Sequence, residues 1–185
     1  MSKKFSEISP KIQDFIECQK MFFVGTAMRE GTVNISPKGL DSFRVLDKNT
    51  VVWMNLTGSG NETATHLLQS NRMTVMFCAF EGAPNILRLY GTCEVFHPRD
   101  AEFEKFAKLF PADVGSRQVM LMKVDLVQTS CGYAVPLMEY KADRTILSDW
   151  SSKQGPERVK NYWKEKNTIS LDGHPTQIFK DKIND

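Results

Sequence analysis

Apolar and polar positions alternate along much of the chain, and this pattern predicts strands more often than helices. Runs rich in β-branched and aromatic residues are separated by turn-forming residues such as Asp47-Lys48-Asn49. The runs predict strands over Met21–Ala27, Thr32–Ser36, Phe43–Leu46, Val51–Leu56, Met73–Phe80, Ile86–Phe96 and Val119–Val127. Because hairpin-length connections join most of them, the pattern favours a mainly β protein, an antiparallel, Greek-key-like barrel with short helices.

Helical periodicity is confined to a few short segments. Ser9-Pro10 begins the first, with serine as the N-cap and proline at the first helical position. A second helix is predicted from about Glu62 to Ser70, and a third follows Asp100. The third helix carries an apolar face, which predicts a place in the core or in an interface: Phe103, Phe106, Ala107 and Phe110.

The periodic pattern weakens after Gly132. Residues 141–185 are polar, and we predict a short helix near Gly155–Lys166 in an extension that packs on the barrel or on a partner subunit. The whole of residues 1–185 is expected to form a single domain. Trp150 and Trp163 are interpreted as interface anchors, with a cover over a ligand as the alternative.

Composition and charge narrow the range of functions. The chain has 185 residues with 24 basic and 22 acidic side chains, and this balance argues against a dedicated nucleic-acid binder. No secretory or membrane-spanning segment is visible, so we expect a cytoplasmic protein that does not bind membranes. The histidines and cysteines lack metal-ligand spacing, so no metal site is expected. Cys78 and Cys131 are both interpreted as buried free thiols, and Tyr133 is left open as a wall of a ligand site.

The most informative stretch is Val51–Thr63, where a strand leads through Gly58-Ser59-Gly60-Asn61 into a helix. The first N–H groups of a helix lack internal partners, and glycines allow a ligand to approach the backbone closely. We therefore interpret the loop as an anion-binding site, with a simple capped turn as the alternative. A dinucleotide-binding fingerprint is disfavoured, because Thr63 stands at the third glycine position and the flanking chain predicts hairpins.

The same stretch resembles the central strand–helix–strand of the pyridoxamine-5′-phosphate-oxidase-like family, and the resemblance covers about residues 8–135. That family has a strand ending in aromatic-Thr-Asn, a Gly-Ser-Arg-Lys turn, an Asn-Pro-Arg step, an Arg-x-x-Gly strand and, in a related branch, a flavin-facing segment. The counterparts here are Trp53-Met54-Asn55, Gly58-Ser59, Ser70-Asn71-Arg72, Arg88-Leu89-Tyr90-Gly91 and Asn34–Gly39.

The resemblance implies a split β-barrel, a homodimer, and FMN held in a groove between subunits. It places three residues at the isoalloxazine edge: Trp53, Met54 and Asn55. It places Ser36 and Lys38 on the adjoining flavin-facing strand, and it assigns the phosphate end to Ser59, Gly60, Asn61 and Thr63. Because residues 60–63 replace the family's Arg-Lys pair, the phosphate is expected to rest on backbone N–H groups, hydroxyls, and basic residues such as Lys38 or Arg88.

The expected function is that of an FMN-dependent oxidoreductase with an unidentified substrate, for which a reduced nicotinamide is the expected electron donor. No individual catalytic residue is identified. The family's substrate-gripping arginines have no counterpart in Ser170–Thr176, so oxidation of pyridoxamine 5′-phosphate itself is not expected. The alternative is a flavin- or haem-binding module without turnover.

Overall fold

The computed structural model describes residues 2–179, which form eight strands and four helices. The strands are β1 (Lys3–Phe5), β2 (Met21–Ala27), β3 (Val33–Gly39), β4 (Phe43–Asp47), β5 (Thr50–Leu56), β6 (Arg72–Cys78), β7 (Ile86–Phe96) and β8 (Ser116–Ser130). The helices are α1 (Pro10–Cys18), α2 (Glu62–Gln69), α3 (Ala101–Ala107) and α4 (Ile146–Lys166). None of these described helices is long and apolar enough to cross a membrane.

The eight strands form one sheet in which every described pair is antiparallel. The strand order is β3-β2-β6-β7-β8-β5-β4, and β1 pairs with the C-terminal part of β8. The sheet is not closed, since β3 and β4 remain at its two edges. The prediction of a mainly β, antiparallel split barrel is therefore confirmed. The dinucleotide-binding alternative is wrong, because it requires parallel strands and residues 2–179 contain none.

The central pair of the sheet consists of its two longest strands, β7 with 11 residues and β8 with 15. Their register shifts between Tyr90 and Gly91, where the two backbones approach closely. A Cβ atom at Gly91 would lie 1.8 Å from the carbonyl oxygen of Lys123. Only glycine permits this approach, so Gly91 fixes the bulge in the central pair.

Aromatic side chains from three strands fill the inside of the barrel. Phe22 of β2 packs edge-on against Phe43 and Trp53, with ring centroids 4.9 and 5.9 Å away. Trp53 is fully buried in this cluster, and α1 closes it with Ile12 and Ile16. The core therefore lies directly behind β5, the strand that leads into Gly58-Ser59-Gly60-Asn61, the glycine loop.

The phenylalanine face of α3 belongs to the core. Phe106 and Phe110 are buried against Phe96 and against Val52 and Met54 of β5. Of the two roles predicted for this face, packing within the chain is the one that the structure shows.

The C-terminal segment packs on its own chain. α4 begins at Ile146, well before the predicted start at Gly155, and it is kinked at that glycine, whose φ is 73°. Trp163 is buried beside Val159 and Ile178, so its interpretation as an interface anchor is wrong: the helix turns this side chain toward its own barrel. Residues 180–185 of the predicted extension lie outside the described residues.

The two cysteines interpreted as buried differ in the structure. Cys78 is buried at the end of β6, as predicted. Cys131 is exposed, so its interpretation as a buried thiol is wrong. The reason is local: β8 ends at Ser130, and the turn that follows brings Gly132 against the backbone of Asn85 while its neighbour faces solvent. Tyr133 is 82% exposed on the same turn.

Candidate functional site

A cavity of about 460 Å³ opens where β5 runs into the glycine loop. Its walls come from β3, the end of β5, the loop over residues 57–61, the first residues of α2 and Arg117 of β8, with Leu147 of α4 at one side. The volume falls in the range of small-molecule sites. The split in the barrel therefore leaves a ligand-sized space beside the loop that the sequence singles out.

Eight predicted site residues line this cavity: Ser36, Lys38, Met54, Asn55, Ser59, Gly60, Asn61 and Thr63. Two do not. The Trp53 side chain is fully buried in the core, where its ring packs against Phe22. Arg88 lies on β7, where it donates a 3.2 Å hydrogen bond to Ser130 Oγ, and it is not part of the cavity wall.

Edge strand β3 presents its polar residues to the cavity at every second position. Asn34, Ser36 and Lys38 all line it. The Asn34 amide donates to Ser36 Oγ at 3.2 Å and to Thr63 Oγ1 at 3.1 Å, which ties β3 to the first turn of α2. Since Thr63 accepts this bond through its oxygen, its hydroxyl proton stays available to a ligand.

Lys38 is the lysine that lines the cavity. Its ammonium group donates to Asn55 Oδ1 at 3.1 Å and stands 5.3 Å from the centre of the Trp53 ring. Burial, and secondarily the nearby charge of Arg117, lower the pKa of Lys38 to about 8. The lysine is therefore a cation near neutral pH that can lose its proton in mildly alkaline solution.

The orientation of Asn55 is set from behind by a buried polar chain. The Asn55 amide donates to Gln118 Oε1 at 2.8 Å, and Gln118 Nε2 lies 3.2 Å from His97 Nε2. All three side chains are buried. With its amide nitrogen engaged by Gln118, Asn55 must direct its oxygen to Lys38, which holds the ammonium group at the cavity wall.

Arg117 is the basic residue that sequence reasoning missed. It is only 2% exposed, and Nη1 donates to Gly60 O at 2.9 Å and to Asn167 Oδ1 at 2.7 Å. Burial lowers the pKa of Arg117 to about 10, so the guanidinium remains charged at neutral pH. Its Nε has no hydrogen-bond partner within residues 2–179.

Within residues 2–179 no carboxylate pairs with Lys38 or Arg117. Glu62 lines the cavity, but both of its carboxylate oxygens accept a hydrogen bond from the Leu171 backbone N–H, at 3.1 Å each. The Glu62 carboxylate is thus held by the C-terminal segment, and the side chains that line the cavity carry a net positive charge.

The glycine loop adds neutral donors to these charges. None of the backbone N–H groups of Gly58–Asn61 donates a hydrogen bond within residues 2–179. α2 follows at Glu62, so the partial positive charge of a helix N-terminus lies at the same place. The buried Asn61 amide leaves Oδ1 without a partner in the described residues. The arrangement can bind an anion, with two cations, free N–H groups and the Thr63 hydroxyl around one space.

An open antiparallel barrel with a cationic cavity beside the N-terminus of a short helix is the architecture of a small-ligand-binding split barrel. The family model for pyridoxamine 5′-phosphate oxidase matches residues 8–131, so the chain belongs to the pyridoxamine 5′-phosphate oxidase family. The predicted family is thus confirmed. The matched residues include every predicted site residue and Arg117.

Individual relatives agree with this assignment. The pyridoxamine 5′-phosphate oxidase family protein ustO of Aspergillus flavus is 38% identical over 144 residues, which are 75% of this chain and 58% of that protein. A HupZ variant from Group A Streptococcus has a TM-score of 0.54 and 23% identity, and the match covers 66% of this chain and 99% of that one. A Lactobacillus delbrueckii protein, provisionally described as a pyridoxamine 5′-phosphate oxidase, has a TM-score of 0.52 and 15% identity over 66% of this chain and 94% of its own. At these identities the solved structures show the fold alone.

Proposed function

We propose that the cavity binds FMN and that the chain is an FMN-dependent oxidoreductase whose substrate differs from pyridoxamine 5′-phosphate. The observation that carries the proposal is the pair of cations without carboxylate partners, Lys38 and Arg117, beside a loop with free N–H groups. A phosphate monoester carries about −1.5 to −2 charges near neutral pH and accepts several hydrogen bonds. The residues present therefore fit a terminal phosphate.

The phosphate would lie against Ser59–Thr63, with Arg117 supplying the charge that the family's Arg-Lys pair supplies elsewhere. The flavin ring would lie along β3 and the end of β5, in contact with Ser36, Lys38, Met54 and Asn55. Trp53 would contribute through its backbone and by supporting Lys38, since its ring is buried. FMN is preferred over FAD in this proposal because the loop seats a terminal phosphate.

When bound, FMN supplies hydride or electron transfer, and the protein supplies orientation and electrostatics. The role of Lys38 would be to present a positive charge to the flavin or its phosphate. A reduced nicotinamide is the electron donor that we propose. Pyridoxamine 5′-phosphate is not expected to be a substrate, because Leu171 and Asp172 stand in the segment where the family carries substrate-gripping arginines.

We propose that the chain acts as a homodimer through the outer side of β3. The alternation that turns Asn34 and Ser36 toward the cavity leaves Val33 and Ile35 70% and 69% exposed on the opposite side. Two β-branched apolar side chains next to each other on an edge strand favour burial against another subunit. A dimer through this strand would also bring a second protomer close to the open cavity.

The test is a titration of the flavin-free protein with FMN, FAD and riboflavin, followed by flavin fluorescence. We expect FMN to bind most tightly and riboflavin, which lacks the phosphate, much more weakly. Absence of quenching by FMN at micromolar protein would refute the proposal, and a Soret band in the purified protein would favour the haem-binding alternative.

Turnover is tested separately on the FMN-loaded protein under anaerobic conditions. We expect NADH or NADPH to bleach the flavin absorbance, and pyridoxamine 5′-phosphate to leave it unchanged. FMN binding without reduction by either nicotinamide would favour a flavin-binding module without turnover.

A further inference from the structure

The C-terminal segment braces the glycine loop from outside the family-matched region. Trp163 of α4 donates from its indole N–H to Thr57 Oγ1 at 2.8 Å. The Leu171 N–H donates to Glu62, as described above. These contacts join residues after position 131, where the family match ends, to both ends of the loop.

Asn167 makes most of the hydrogen bonds between the C-terminal segment and the surroundings of the glycine loop. It follows the last turn of α4 and is 0% exposed. Its Nδ2 donates to Gly58 O at 3.0 Å, and its Oδ1 accepts from Arg117 Nη1 at 2.7 Å. Its backbone oxygen accepts from Asn61 Nδ2 at 3.4 Å. The side-chain amide of Asn167 thus contacts the loop and the buried cation, and its backbone carbonyl contacts Asn61, the N-cap residue of α2.

These bonds determine which way the loop peptides face. The carbonyls of Gly58 and Gly60 point toward the Asn167–Arg117 pair. In a planar trans peptide the C=O and the following N–H point in opposite directions. The N–H groups of Ser59 and Asn61 therefore point away from that pair, and neither donates a hydrogen bond within the described residues.

Asn167 also holds Arg117 without neutralising it. Its neutral amide oxygen takes one Nη1 hydrogen bond, whereas a carboxylate at the same place would form an ion pair with the guanidinium. The guanidinium, which lines the cavity, thus keeps its positive charge without an ion pair in the described residues.

We infer that Asn167 is a positioning residue for the phosphate of the bound flavin. It presets the loop N–H groups and the Arg117 guanidinium before the ligand arrives, so the anion selectivity of the cavity depends on a segment outside the family-matched barrel. This inference rests on the proposed function. The inference extends the proposed function, because it assigns the selectivity for the phosphorylated flavin to the C-terminal segment.

The experiment compares FMN with riboflavin in fluorescence titrations of the full chain and of Asn167→Ala. We expect the variant to lose about tenfold or more in FMN affinity while its riboflavin affinity changes less than about twofold. Asn167→Asp is expected to lose at least as much FMN affinity, because the new carboxylate pairs with Arg117. A purely structural role would lower both affinities together.

Asn49→Ala is the matched control. The Asn49 amide also bridges two backbone carbonyls, Ser6 O at 2.7 Å and Val124 O at 3.0 Å, but it is not part of the cavity wall. We expect its ratio of FMN to riboflavin affinity to equal that of the unmodified chain. Trp163→Phe provides a second variant if Asn167→Ala does not fold. It removes the indole N–H bond to Thr57 and keeps an aromatic ring against Val159 and Ile178, and its ratio should fall too.

The outcomes separate the two hypotheses. If the unmodified chain prefers FMN and the variants retain that preference, or lose both ligands in parallel, Asn167 is not a positioning residue and the proposed function stands. If the unmodified chain does not distinguish FMN from riboflavin, the phosphate site itself is wrong and the inference is overturned with it.

Discussion

The proposed FMN site predicts that FMN affinity depends on pH through Lys38, and the direction of the dependence follows from the surroundings of this lysine. In the free protein its pKa is lowered from 10.5 to about 8. A bound phosphate adds a nearby negative charge, which raises the pKa again. Binding therefore takes up a proton when the pH lies between the two values, and FMN affinity must fall as the pH rises through about 8.

The size of the effect can be worked out from the two pKa values. With a pKa of about 8 in the free protein and a full return to 10.5 on binding, FMN affinity at about pH 9.5 is about 30-fold lower than at about pH 7. This corresponds to about 2 kcal/mol and is an upper bound, because a smaller rise in the pKa gives a smaller loss.

In the flavin-free protein, the same pKa shift predicts a pH dependence of stability that runs in the opposite direction to that of FMN affinity. Because the pKa of Lys38 is lower in the folded than in the unfolded chain, the folded state releases this proton first as the pH rises. The contribution of Lys38 to the free energy of unfolding must therefore increase between about pH 8 and about pH 10.5 without flavin, while FMN affinity decreases over the same interval.

The assay is a set of FMN titrations by fluorescence quenching, at constant ionic strength, between about pH 7 and about pH 9.5. Riboflavin measured in parallel corrects for titration of the flavin ring, since it lacks only the phosphate. Lys38→Arg should bind FMN with a flat profile, because arginine keeps its charge over this range. An FMN profile in the unmodified chain that matches either the riboflavin or the Lys38→Arg profile would refute a contact between Lys38 and the phosphate.

Three further predictions concern the buried cation, the bulge and the edge strand. Arg117→Met should weaken FMN by about 1.5–3 kcal/mol in titrations and leave riboflavin nearly unchanged, and equal losses for both flavins would contradict a phosphate contact. Gly91→Ala should lower the free energy of unfolding by more than about 2 kcal/mol in urea, because its Cβ meets the neighbouring strand, whereas Gly58→Ala, with no atom within 4 Å of its Cβ, should cost less than about 1 kcal/mol. Ile35→Lys should convert the proposed dimer to a monomer of 21.1 kDa in light scattering, and an unmodified chain that is already monomeric would exclude the interface.

Much of the barrel was predictable from local sequence. The strands at Met21–Ala27 and Ile86–Phe96 have the predicted bounds. Alternate residues of a half-buried strand face the core, and this produces a recognisable alternation of apolar and polar residues in the sequence. Ser9 caps α1 as predicted, accepting a hydrogen bond from the Ile12 N–H. β1 was missed because its three residues are all exposed and carry no apolar alternation. α4 was placed too late because Gly155 and Pro156 look like a start, whereas they form a kink inside the helix.

The site was predictable only where its residues are close in sequence. The glycine loop and the polar positions of β3 form local patterns, and both line the cavity. Arg117 was missed because it precedes the predicted strand Val119–Val127, between Ser116 and Gln118. Nothing in the sequence shows that three distant carbonyl oxygens will surround it. Arg88 was chosen through the resemblance, but the register of β7 pairs it with Gln128 of β8, and its side chain donates to Ser130 Oγ outside the cavity wall.

The charges of the cavity, taken together, support the binding of an anionic ligand more strongly than any single residue does. Burying a cation costs free energy unless an opposite charge or a full set of hydrogen bonds compensates it. Arg117 has neither, since its Nε lacks a partner and no carboxylate pairs with it in the described chain. The pKa of a second cation, Lys38, is lowered by burial and, secondarily, by the nearby charge of Arg117. Two like charges at the wall of an open cavity repel each other in the free protein, and an anionic ligand in that cavity would attract both. The arrangement is therefore unfavourable in the empty barrel and favourable in a complex, which is the condition that a phosphate-binding site has to satisfy.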